Sequence, residues 1–163
     1  MYFLTRLLPV ALAALLLTGG AKKPDLTVRF HAEANRMDSE RFAQPVTLKH
    51  PPRQAHIEKV ASLSERHIQA IYPFRAEDGT WGCAFKLNQS GRINLEVLST
   101  ERRGASLVAF VSSKTGTHQV IDMQIDRPIT DGIITIHNGL TDLEIAALQK
   151  QFPTLGQPQK KRR

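Results

Sequence analysis

Six histidines, one cysteine and three closely spaced aspartates are the residues of this 163-residue chain that invite a chemical reading. His31, His50, His56, His67, His118 and His137 show no paired short spacing, whereas structural zinc sites draw on close pairs of ligands. No metal site is expected. Asp122, Asp126 and Asp131 offer carboxylates for calcium, but Pro128 and Ile129 interrupt them, and the loop of alternating oxygens with a closing glutamate is missing. Turn and surface roles suit them better. His118 and Asp122 can lie on the same side of one strand, with Ser112 or Ser113 across the adjoining loop. That is the nearest approach to a nucleophile, base and acid, and it frames the alternative of a small extracytoplasmic hydrolase. Spacing alone does not bring a serine to a histidine, so no catalytic residue is assigned and the chain is read as non-enzymatic.

Cys83 sits in the apolar run Trp81 to Phe85 and is expected to be a small buried hydrophobe. As the only cysteine it excludes an internal disulfide, so stability must come from packing. The glycines are scattered among turns and build no phosphate-cradling loop, and no cofactor is expected. Asn88-Gln89-Ser90 matches a glycosylation acceptor, which matters only in a eukaryotic secretory host.

Periodicity supplies the elements that carry these residues. Leu26, Val28, Phe30 and Ala32 alternate with Thr27, Arg29, His31 and Glu33, a half-buried strand. Pro45 to Leu48 and, more weakly, His56 to Val60 follow as strands. Ser64 is placed to cap a short helix over Glu65 to Ile71, with Ile68, Ile71 and Tyr72 on one side and Pro73 as its stop. Ala76 to Thr80 reads as a turn or lobe boundary.

The second half gives a strand over Trp81 to Leu87 and a helix over Arg92 to Arg102 with Ile93, Val97 and Leu98 inward, ended by Gly104. A hairpin of Ser106 to Val111 and His118 to Ile125 comes next. In its second strand Val120 shares a face with Asp122, while Ile121, Met123 and Ile125 form the apolar face. Ile133 to Ile136 is another strand. Thr141 and Glu144 then stand at the spacing of a capping box, before an apolar stripe of Leu143, Ala146, Ala147 and Leu148. The order implies an α+β fold: a largely antiparallel sheet with two or three helices packed on one face, a ferredoxin-like sandwich in the C-terminal half.

The N-terminus bears on location. Arg6 precedes an apolar run from Leu7 to Leu17, and Thr18-Gly19-Gly20-Ala21 offers small residues to a signal peptidase. Residues 1–21 read as a signal peptide cleaved after Ala21, with an uncleaved N-terminal membrane anchor as the alternative. Lys22 stands where a lipoprotein would carry its acylated cysteine. Residues 22–75 are then an N-terminal β-rich lobe, 81–155 an α+β domain, and 156–163 a disordered basic tail. The net charge of +7 resides in the ends: between Pro24 and Gln159 the 15 basic residues equal the 15 acidic ones. Such a distribution argues against nucleic acid as a partner, because a binder clusters its cations on a folded face. It leaves a weak contact of the basic tail with anionic membrane surface, and with it the second alternative of a membrane-surface-associated structural domain.

In its order of elements, residues 82–152 resemble the head of the first periplasmic region of the SecD protein-export subunit. The resemblance rests on Cys83-Ala-Phe-Lys-Leu87, the helix started at Gly91, and Gly104 before Ser106 to Val111. It continues with Asp131-Gly-Ile-Ile-Thr-Ile136 and Gly139-Leu-Thr-Asp-Leu-Glu-Ile-Ala-Ala-Leu148. The resemblance implies a periplasmic module that touches unfolded or emerging polypeptide. The acidic membrane residues of the proton-driven step have no counterpart in this chain. The expected function is an exported protein- or peptide-binding module of the bacterial envelope, with an envelope protein or an extended polypeptide as partner. His118, Val120 and Asp122, on a sheet edge, are the candidate binding residues.

Overall fold

The computed structural model describes residues 25–35, 37–38 and 41–156. The expected leader, residues 1–21, and the tail beyond Gly156 lie outside the described residues. The fold is α+β and mostly antiparallel, as the sequence implies.

Strand β1 (Leu26–Ala32) buries Leu26, Val28 and Phe30 on one face and pairs with β7 (Ser106–Ser113) along its whole length. It also bonds the short β4 (Leu63–Ser64), and β7 bonds β8 (Gly116–Gln124), giving the order β4-β1-β7-β8. A separate hairpin of β2 (Ala43–Lys49) and β3 (Pro52–Glu58) turns through a cis His50–Pro51 peptide. It covers the other face of this sheet, where Leu48, Ala55 and Ile57 pack with Val108 and Phe110. That cover explains why His31 is buried as well: its ring meets Phe110 edge-on at 5.8 Å, and its Nδ1 donates to the Glu58 carbonyl at 2.8 Å. Beside the turn of the hairpin Arg53 grips the Glu33 carboxylate through both terminal nitrogens, at 2.6 and 2.7 Å.

The third sheet has the order β5-β6-β9, from Ile68–Arg75, Trp81–Leu87 and Ile133–Leu140. Phe30 and Phe85 meet edge-on across the main core at 6.1 Å. Helix α1 (Gln89–Glu101) adds Leu95 to that core, and helix α2 (Asp142–Gln151) adds Ile145 and Leu148. The Thr141–Glu144 capping box is present in both directions. Strands from the 22–75 stretch and from the 81–155 stretch thus share two sheets and one core.

Two expectations are corrected. The helix over Glu65 to Ile71 is only a 3-10 turn, Glu65–His67, followed by β5. A bulge between Ile68 and Ala70 shifts the alternation, so that Ile68, Ile71 and Tyr72 imitate helical spacing while belonging to a strand. Pro73 does not stop the element because β5 is an edge, where a missing N–H is tolerated. In α1 the buried residues are Gly91, Leu95 and Ser99, and Leu98 packs against the core as expected, whereas Ile93 and Val97 are about half exposed. Gly91 sets that phase: an added Cβ would lie 2.7 Å from the His67 Cβ, so the glycine must face the 3-10 turn.

Candidate functional site

Strand β8 returns from β7 through the two residues Lys114 and Thr115 and has no partner strand on its other side among the described residues. Ile125 donates to the Ala105 carbonyl at 2.9 Å, and stepping by two turns the backbones of Met123 and Ile121 toward β7. The N–H and C=O of Asp122 and Gln124 therefore face away from the sheet. The same logic applies to β9, the edge of its own sheet. Leu87 donates to the Gly132 carbonyl at 2.8 Å, which makes 85–134 a bonded pair and turns the backbone of Thr135 outward.

These two free edges line one groove of about 680 Å³. The strands approach at one end, where a Cβ added to Gly139 would lie 4.0 Å from the Val120 carbonyl oxygen. Away from that contact the loop 126–132 completes the wall. It is anchored on α1: Ile129 donates its N–H to Ser99 Oγ at 2.8 Å, and Gly132, at φ +70°, lies against the Arg92 side chain. Ile121, Met123 and Ile129 give the groove apolar surface; Asp122, Asp126, Asp131 and Arg127 line it with charge.

The three candidate binding residues do not act on one face. A bulge between Ala109 and Phe110 of β7's register with β8 releases Val120 from the alternation, and its side chain joins the main core cluster, not the face of Asp122. Asp122 is buried beneath the β2–β3 turn. Its carboxylate accepts the Lys49 N–H, the His50 N–H at 2.9 Å and His50 Nδ1 at 3.1 Å. Burial pushes its pKa up, but the donors of Lys49 and His50 outweigh this and hold it below the usual carboxylate value. His118 lies outside the groove, with Nδ1 3.6 Å from the buried Glu144 carboxylate.

That arrangement separates the would-be hydrolase residues: Asp122 serves His50, His118 faces Glu144, and Ser112 accepts from Thr117 at 2.8 Å. Among the described residues no three His, Cys, Asp or Glu side chains converge for a metal ion. Cys83 is fully buried, and desolvation pushes its thiol up to about 12. What sequence reasoning missed is the second wall. The Asp131-Gly132 turn and the run Ile133 to Ile136 announce a strand, but nothing in them says that it is an edge or that it faces β8.

No protein-family model and no curated protein sequence matches the chain. Among solved structures, one of SecDF, described as a membrane component that enhances protein export, superposes with a TM-score of 0.53 at 14% identity. The chain has a SecDF-like fold. The alignment covers 83% of this chain and 69% of that one. A second SecDF structure, in a super-membrane-facing form, gives a TM-score of 0.51 at 13% identity over 80% of this chain and 20% of its own length. The SecDF-like likeness therefore reaches beyond residues 82–152 into the first half, which the order of sequence motifs did not indicate. No helix among the described residues is long and apolar enough to cross a membrane.

Proposed function

We propose that this protein is an exported, non-enzymatic module that binds extended polypeptide in the bacterial envelope and works in association with protein export. The observation that carries the reading is the unpaired edge of β8 along a groove with apolar surface. Such an edge offers backbone hydrogen bonds to any extended segment, and flanking pockets for alternate side chains supply the selectivity. The SecDF-like fold supports the link to export by analogy of architecture alone. A location outside the cytoplasm, with the leader removed after Ala21, belongs to the same reading.

In-cell photo-crosslinking tests it, with the reactive side chain placed at Thr130 in the groove and, as a control, at the exposed Lys150 on α2. Export-channel subunits or secreted chains captured from Thr130 and not from Lys150 are expected. Equal capture from both positions, in a correctly exported and folded protein, sinks the proposal.

A further inference from the structure

Extended polypeptide capture at the β8 edge accounts for one wall of the groove and leaves the other unexplained. The opposite wall is also a sheet edge. Thr135 of β9 turns its backbone N–H and C=O into the same space as Asp122 of β8, and neither strand has a partner there among the described residues. Unpaired strand edges are ordinarily blunted by charge, proline or a covering loop, as β5 is by Pro73 and by residues 153–155, which bond Ile71 on both sides. Neither β8 nor β9 carries a proline. Resting on the proposed function, we infer that a captured segment enters as a strand between β8 and β9, hydrogen-bonding both edges at once and joining the two sheets.

The occupant follows from the lining. In an extended chain successive N–H groups point to opposite sides, so one segment satisfies Asp122 on one flank and Thr135 on the other. Its alternate side chains meet Ile121, Met123 and Ile129. The exposed carboxylates of Asp126 and Asp131 line the groove against the one arginine, Arg127, so the segment should carry lysine or arginine beside its apolar residues. The narrow end at Val120 and Gly139 fixes where the segment must stop.

A fluorescein-labelled ten-residue peptide of alternating valine and threonine, with one lysine, tests this by anisotropy against the full chain. Two derivatives carry N-methyl groups on the odd or on the even residues, each erasing hydrogen bonds along one flank only. Insertion between two edges predicts that both derivatives bind at least tenfold more weakly. Weakening in only one series overturns the two-edge inference and leaves capture at a single edge standing. No binding of the unmodified peptide overturns the proposed function itself. On the protein side, Thr135→Pro removes an outward N–H without touching the β6 ladder. Unchanged affinity in a variant with native circular dichroism rejects the role of β9. Exchange of the peptide's lysine for glutamate should weaken binding, and indifference to it rejects the charge preference.

Discussion

Glu33 ties three strands together. Its carboxylate is gripped by Arg53 of β3 and accepts the Ser106 N–H of β7 at 2.9 Å, immediately after β1 ends. The Arg53 hydrogen bonds hold its pKa below the usual carboxylate value despite partial burial, and Ser106 adds to them. Because the folded value is the lower one, this stabilisation is complete above the unfolded value and fades as the pH falls through the folded one. Glu33→Gln should cost about 1–2 kcal/mol at neutral pH, since charge-assisted hydrogen bonds exceed neutral ones. The difference from the parent should shrink below about pH 4 in denaturant titrations; a gap that stays constant there contradicts the assignment. Cys83 gives a second prediction at this scale. With its thiol pushed up to about 12 and no exposed surface, it should react with a thiol reagent at pH 8 only as fast as the protein unfolds. Instant labelling of the native chain contradicts its burial.

At the scale of elements, close approaches at glycine decide how strands and helices seat. A Cβ on Gly82 would fall 2.4 Å from both the Phe74 ring and the His137 carbonyl oxygen. The ring can rotate, but the carbonyl belongs to the backbone of β9 and cannot yield cheaply. Gly82→Ala should therefore destabilise by about 3 kcal/mol, the upper range for overpacking. Asn88→Ala, which removes the cap accepting from Gly91 N–H and the bond to the Arg66 carbonyl, should cost about 1 kcal/mol. Thermal melts of the two variants should rank them in that order. These contrasts explain what could be read beforehand. Strands with unbroken alternation, such as β1, and the helix signed by Thr141 and Glu144 were legible because their signals are local. The β5 strand and the face of Val120 were not, because a single extra residue in each ladder reverses the pattern that reading depends on.

At the scale of the whole molecule, the pairing of distant segments lay beyond the sequence pattern. The signals at Ala76 to Thr80 suggest a turn or a lobe boundary, and the structure places there the turn of the hairpin joining β5 to β6. The groove depends on those long-range pairings: among the described strands β8 pairs with β7, whose other side is filled by β1, and β9 with β6, whose other side is filled by β5. Residues 81–155 expressed alone would leave the β1 side of β7 and the β5 side of β6 open and expose Phe85, Leu107 and Val111 to water. Burial of such side chains contributes about 1.5–3 kcal/mol each, comparable in sum to the whole stability of a small domain. The fragment should therefore give a poorly dispersed amide spectrum and bind no peptide, and adding residues 25–75 in trans should restore both. A well-dispersed spectrum with cooperative unfolding of 81–155 alone would instead make the second half an independent domain, and would locate the groove's rigidity in the loop 126–132 and α1 rather than in the shared core.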